Sequence, residues 1–267
     1  MIGVEITSPA NPRIKQLVAL RRRRVRDDAG VTLVEGYEEL ELALAAGIKP
    51  LEIFICQEFI DSGQLRLADR AAERGTEVVH VSPVAFRKIA YRESPDGWLA
   101  VVPAVGTGLG GLEVGASPLV VICQGVEKPG NLGAILRTAD AAGAAAVIAT
   151  DPVTDWGNPN VMRASKGTVF SVPVAASSSE LVLDWLAERS IKLVATTPGA
   201  AMLLTQADFS GPVAIAVGSE KYGLPEEWLS RADVLVRIPM FGRADSLNVA
   251  TAAAIVCYEA VRQRLAG

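Results

Sequence analysis

Three segments of this 267-residue chain concentrate glycine with polar side chains that can hold or polarise a ligand. The first, Gln124 to Thr138, contains Asn131 and Arg137. The second, Val217 to Leu224, contains Gly218, Ser219 and Glu220. The third, Ile238 to Val249, contains Met240, Ser246, Leu247 and Asn248. Carboxamides, a carboxylate, a hydroxyl and a guanidinium suit chemistry by alignment and charge stabilisation rather than by a metal. Taken one at a time, each also has a local explanation. Asn131 fits the N-cap of a helix over 132–142 that carries Arg137 on its exposed side. Ser219 and Glu220 can cap a turn, and Ser246 can cap the closing helix.

Other chemistries are poorly served. The single histidine, His80, sits in the apolar run from Val78 to Val81 and reads as a structural strand residue. A Ser-His-Asp triad and a histidine-built metal site are therefore both disfavoured. Cys56, Cys123 and Cys257 form no CxxC pair, and so sparse and odd a set reads as reduced and cytoplasmic. No metal is expected. No apolar run approaches the ~18–20 residues of a membrane helix, and the start, MIGVEITSPANP, lacks a signal-peptide core. The sequence predicts a soluble, cytoplasmic protein without a membrane partner.

Half the residues are hydrophobic and 21% are charged, a balance that supports a packed core rather than disorder. The net charge of −4 conceals an asymmetry: residues 1–26 carry seven bases against one acid, and the rest carries nineteen against twenty-nine. The basic group is Arg13, Lys15, Arg21, Arg22, Arg23, Arg24 and Arg26. Clustered arginines match phosphate oxygens and release counterions on binding, so an anionic polymer is the expected partner. The spacing of Ile14, Leu17, Val18 and Leu20 predicts one amphipathic helix with the arginines at its C-terminal end, where the helix dipole also favours them. Arg163 and Lys166, on a later polar loop, are further candidates for RNA phosphates.

The elements that must position these residues alternate. Strands are predicted at Val31–Val34, Leu51–Ile55, Glu77–Val81 and Trp98–Val102, with helices over 38–46 and 64–74. A second series follows: strands at Leu119–Cys123, Ala145–Ala149, Ile191–Ala195, Val213–Val217 and Val234–Ile238, a helix near 180–189, and a closing Ala-rich helix over 247–265. Strands this apolar, interleaved with helices, predict an α/β fold with a mostly parallel sheet covered on both faces. Ligands of such sheets sit beyond the carboxyl ends of the strands, where all three polar segments lie. Between the two series, five glycines from Gly106 to Gly115 predict a flexible linker. Gly106 to Gly111 formally satisfies GxGxxG, yet no helix follows it, so a dinucleotide site is rejected. The absence of GxxxxGK[ST] likewise disfavours a nucleotide-using enzyme.

Taken together, the three polar segments resemble the three motifs of the SpoU branch of the SPOUT methyltransferases. The matches are NxGxxxRT at Asn131 to Thr138, GSExxGL at Gly218 to Leu224 and IPMxGxxxSLNV at Ile238 to Val249. The N-terminal stretches Ser8 to Lys15 and Leu33 to Gly36 are similar to the ribosomal-protein-like RNA-binding domain that precedes the catalytic domain in many members. The resemblance implies residues 1–104 as an α/β substrate-binding domain, 105–117 as a linker and 118–267 as a catalytic domain with a deep trefoil knot.

It also implies S-adenosylmethionine as cofactor, ribosomal RNA as substrate, ribose 2′-O-methylation as the reaction and a homodimer formed through the C-terminal domain. Asn131, Arg137, Glu220, Ser246 and Asn248 would then be catalytic, with Arg137 assisting deprotonation of the ribose hydroxyl. Gly218, Ser219, Glu220, Ile238, Met240, Ser246, Leu247 and Asn248 would hold the donor. Two other readings stay open at this point: a tRNA 2′-O-methyltransferase, and a non-catalytic RNA-binding protein on the same scaffold. Intact motifs argue against the latter.

Overall fold

The computed structural model describes residues 5–266. Their contacts divide into two compact units: the chain up to Val105 together with Trp156–Ser171, and Gly106–Asp155 together with Val172 onward.

In the first unit, β1 (Glu5–Ile6), β2 (Val31–Glu35), β3 (Glu52–Ile55), β4 (Glu77–Val81) and β5 (Trp98–Pro103) form a mixed sheet ordered β1-β4-β3-β5-β2. Strand alternation divides its apolar side chains between two faces. Leu33, Phe54, Val79 and Leu99 pack on one face; Val34, Ile53, Ile55 and Trp98 pack on the other. The helices that cover it are α1 (Pro12–Ala19), α2 (Arg23–Ala29), α3 (Tyr37–Ala45), α4 (Arg66–Glu73) and α5 (Pro83–Ile89).

The predicted single basic helix is broken in two. Asn11 caps α1, accepting from the Arg13 N–H at 2.9 Å, with Pro12 in the first turn. The chain then turns at Arg22, which is extended, before α2 begins. Arg26 explains the break: its guanidinium is buried and donates to the carbonyls of Leu20 and Arg21 at 3.0 and 3.1 Å. It thereby satisfies carbonyls at the end of α1 that a continuous helix would have used internally. Arg23 and Arg24 consequently start a helix rather than end one, and the helix dipole does not favour them there.

The segment returning from the second half of the sequence carries α7 (Pro159–Ala164), which packs on β2, and a 3₁₀ turn, Thr168–Phe170, against α3. Thr32 donates to the Gly157 carbonyl at 3.2 Å, and Lys166 pairs with Glu38 at 2.7 Å. Arg163 and Lys166 therefore belong to the first unit.

The second unit is built on seven strands: β6 (Leu119–Gln124), β7 (Ala146–Thr150), β8 (Val174–Ser177), β9 (Lys192–Thr196), β10 (Met202–Leu203), β11 (Val213–Val217) and β12 (Val234–Arg237). Their order is β10-β12-β9-β11-β6-β7-β8, and every pairing is parallel. Its helices are α6 (Pro129–Ala141), α8 (Ser179–Glu188), α9 (Glu226–Arg231) and α10 (Val249–Ala266); α6 and α10 pack together, and α10 also lies on β11. The glycine-rich stretch is not a loose tether. Leu112 is buried in this unit's core, with Leu109 and Val114 packed against it, and the Thr107 carbonyl accepts from Ala176 N–H at 3.0 Å. No helix among the described residues is long and apolar enough to cross a membrane.

Gly36 has φ +117, and a Cβ there would lie 2.1 Å from Glu39 Oε2 and 2.7 Å from Arg92 Nη2. Glu39 and Arg92 form an ion pair of 2.8 Å in which the Glu39 side chain is almost fully buried. Gly36→Ala is therefore expected to lower stability by about 2–3 kcal/mol, since it adds backbone strain and displaces a buried charge pair. Urea denaturation measures this, and an unchanged midpoint would contradict the assignment of Gly36 as sterically obligatory.

Candidate active site

Asn131, Glu220 and Asn248 lie 89 and 117 residues apart along the chain pairwise with Asn131, and their side chains meet. Asn131 Nδ2 donates to Glu220 Oε1 at 2.6 Å, and Asn248 Nδ2 donates to Asn131 Oδ1 at 3.1 Å. Each partner is fixed by its own backbone. α6 begins earlier than predicted, because Pro129 occupies its first turn and Lys128 is the N-cap. Asn131 therefore sits inside the first turn, its side chain released from capping. α10 begins at Val249, and the residue that caps it is Asn248 rather than Ser246. Asn248 Oδ1 accepts from the N–H groups of Ala250 and Thr251 at 3.0 and 3.4 Å, which leaves its amide nitrogen to face Asn131.

Glu220 closes the relay. Its carboxylate accepts from the N–H groups of Glu127 and Lys128 at 3.2 and 3.4 Å, at the entrance to α6, where the helix dipole favours an anion. Burial pushes its carboxyl up, but the Asn131 amide, its own N–H and those of Glu127 and Lys128 together outweigh this and hold it below its usual 4.5. The loop that presents it is tight. Ser219 and Gly223 exchange backbone hydrogen bonds of 3.2 and 3.0 Å, and a Cβ on Gly218 would lie 2.1 Å from the Gly223 carbonyl carbon. Gly125, at φ +58 after β6, lets the neighbouring loop pass beside Ser219.

Other predicted site residues stand apart from this relay. Arg137 lies six residues beyond Asn131, about 9 Å along α6 and roughly 120° around it. It is exposed, and among the described residues no hydrogen bond or ion pair engages its guanidinium. Ser246 Oγ donates to its neighbour Asp245 at 3.1 Å. Ile238 and Met240 are half-buried and Leu247 is exposed along the same loop. Among the described residues, the backbone of 240–247 makes no hydrogen bond to other backbone, so its donors and acceptors are open to a ligand. That open strip and the Gly218 turn both lie at the carboxyl edge of the sheet, and they fit a donor with an adenine and an amino-acid end. A cavity of about 600 Å³, lined by Leu183, Leu186, Ile191 and Asp233 among others, lies at the amino ends of β9 and β12. It is on the wrong edge for this chemistry.

Among the described residues no cluster of three or more His, Cys, Asp or Glu converges as a metal site. Burial pushes the Cys123 thiol up and raises Cys257 to about 12, so neither is a nucleophile at neutral pH.

The nine basic candidates divide. Arg26 is buried, as described, and cannot reach a phosphate. Arg13 is committed to Glu52 and Glu77, and Arg21 to the carbonyls of Lys88 and Ala90 and the Tyr91 ring. Lys15, Arg22, Arg23, Arg24, Arg163 and Lys166 are exposed; Arg23 and Arg24 pair with Asp27 and Asp28 at 3.4 and 3.8 Å, and Lys166 pairs with Glu38 at 2.7 Å. Residues that the sequence did not single out are the backbone of Glu127 and Lys128, whose role depends on a helix start that only Pro129 signalled.

Comparison with known proteins bears on this geometry. Residues 118–258 match the SpoU rRNA Methylase family, and residues 11–100 match the MRM3-like substrate binding domain. A 23S rRNA (uridine(2479)-2′-O)-methyltransferase of Streptomyces viridochromogenes is 34% identical, covering 96% of this chain and 92% of its own. A 23S rRNA (guanosine(2553)-2′-O)-methyltransferase of Bacillus subtilis is 29% identical over 95% of this chain and 98% of its own. Among solved structures, an AdoMet-bound rRNA methyltransferase from Sinorhizobium meliloti superposes with a TM-score of 0.89 at 32% identity, covering 97% of each chain. An RNA 2′-O ribose methyltransferase gives 0.87 at 42% identity over 98% of this chain and 100% of that one.

The lowered carboxyl of Glu220 makes a pH prediction. Its contribution to stability is complete above the unfolded value near 4.5 and is lost as pH falls through the lower folded value. Glu220→Gln should therefore melt below the parent at about pH 6, and the gap should close toward about pH 3. A melting-temperature difference that stays constant over that range would show that the carboxylate does not anchor the relay.

Proposed function

The chain belongs to the SpoU rRNA methylase family, and from that premise we propose that it is an S-adenosylmethionine-dependent methyltransferase acting on the ribose 2′-hydroxyl of ribosomal RNA in the cytoplasm. The observation that carries this reading is the relay of Asn131, Glu220 and Asn248, assembled from three separated segments at the carboxyl edge of a parallel sheet. S-adenosylmethionine supplies an electrophilic methyl group when bound. Gly218, Ser219, Ile238, Met240, Ser246 and Leu247 would hold it along the open backbone of 240–247. The relay leaves Asn131 and Asn248 rigid beside the donor loop, so the target ribose meets preorganised amide groups.

Arg137 has the remaining role. Its uncommitted guanidinium would meet the target ribose or its adjoining phosphate and stabilise the oxyanion that develops as the hydroxyl passes its proton to solvent water. The first unit, with Lys15, Arg22, Arg23, Arg24, Arg163 and Lys166 exposed, would bind the RNA. The reading carries with it the trefoil knot in the catalytic domain. It also carries a homodimer, supported by Ile255, Tyr258 and Leu265, which α10 leaves exposed.

Arg137→Ala should abolish transfer of tritiated methyl to rRNA while leaving calorimetric binding of S-adenosylmethionine within about twofold. Undiminished turnover would remove Arg137 from the chemistry. Absence of any heat of donor binding in the parent protein would replace the enzyme with a non-catalytic RNA-binding protein. Sedimentation should give twice the 28.1 kDa chain mass, and a monomer would refute the dimer.

A further inference from the structure

Phe241 is 96% exposed and Tyr222 is 76% exposed. The other five phenylalanines are buried or half-buried. Single exposed apolar side chains are ordinary, but the placement of these two is not scattered. Tyr222 is two residues from Glu220, on the turn after β11. Phe241 follows β12 on the strip whose backbone is open. The strands β11 and β12 are separated only by β9, so their ends lie about 10 Å apart.

The Tyr222 ring is presented by a rigid turn, its N–H donating to Ser219 Oγ at 3.2 Å. Tyr222 has a cation beside it, and Phe241 has one near it along the chain. Lys221 Nζ stands 4.8 Å from the Tyr222 ring centroid, and Arg243 lies two residues from Phe241, with Asp245 the nearest acid along that loop. Aromatic faces interleaved with cations are what an unpaired nucleotide recognises, the base stacking on the ring and the phosphate meeting the cation.

We propose that Phe241 and Tyr222 form a stacking platform that receives unpaired bases of the RNA at the methylation site, and so set substrate affinity. This rests on the ribose-methyltransferase reading. Sequence-specific RNA recognition targets unpaired nucleotides, and a base splayed out in this way needs a surface to replace the lost stacking. Phe241 supplies a bare π-face for this, and Tyr222 supplies one already oriented by Lys221.

The test uses the full-length protein, unmodified 23S rRNA transcribed in vitro, and a tritiated methyl donor. Phe241→Ala should raise the KM for RNA about tenfold, within the range that loss of one base-stacking contact costs. kcat and the KM for the donor should stay within about twofold. Phe241→Trp should restore RNA affinity and Phe241→Leu should not, because the contact needs a π-face rather than apolar bulk. Full activity of Phe241→Leu would overturn the proposal. So would a fall in sedimenting mass on Phe241→Ala, which would assign the ring to a second copy of the chain, or a raised KM for the donor, which would assign it to the donor pocket. If the parent enzyme methylates the transcript and Phe241→Ala is indistinguishable from it, the platform alone is refuted. If the parent does not methylate the transcript, the substrate reading fails and takes the platform with it.

Discussion

Two helix N-termini and one strand-end loop are tied together by the side chain of Asn131. Its amide nitrogen reaches the carboxylate of Glu220 and its oxygen receives the amide of Asn248, so its orientation is fixed from both ends. Neither partner is free to swing. Asn248 is held by the N–H groups it caps, and Glu220 by the N–H groups that lead into α6. A short polar side chain thus converts the start of α6, the start of α10 and the turn after β11 into one rigid body. Such preorganisation is what a displacement reaction asks of its enzyme when the cofactor brings the electrophile.

The relay can exist only because the sheet is parallel. With every strand of the second unit running the same way, the loops after β6, β11 and β12 all emerge at one edge. Residues scattered over more than a hundred positions are thereby delivered to one place. The same topology buries both faces of the sheet, which is why its strands read as uninterrupted apolar runs such as Val213 to Val217. Core and site have a common origin.

The basic arm shows a different economy. Arg26 holds the end of α1 from within the core, Arg13 bridges the acids at the ends of β3 and β4, and Arg21 braces the chain after α5. The exposed bases of the same unit are Lys15, Arg22, Arg23, Arg24, Arg163 and Lys166, of which Arg23, Arg24 and Lys166 already face acids. Counting arginines therefore overstates the phosphate-binding surface, because a guanidinium's five donors serve carbonyls as readily as phosphates.

The sequence by itself determined nine of the twelve strands among the described residues, missing β1, β8 and β10 and the helices α5, α7 and α9, together with the mostly parallel sheet and the three polar segments at its carboxyl edge. Those are local, since hydrophobic period and glycine or proline punctuation are written along the chain. Its family resemblance also named Asn131, Arg137, Glu220, Ser246 and Asn248 as a set, of which the side chains of Asn131, Glu220 and Asn248 meet. The tertiary structure decided which neighbours of those residues join them. Asn131 and Ser246 look alike as helix caps in sequence, yet Pro129 draws α6 three residues earlier and α10 starts two residues later. One asparagine is freed for the relay, and the serine is left on an open loop. The break between α1 and α2, the assignment of residues 156–171 to the first unit and the packing of the glycine-rich stretch were equally hidden. Each depends on a contact between residues distant in sequence or on a buried charge, and neither leaves a period that a linear reading can detect.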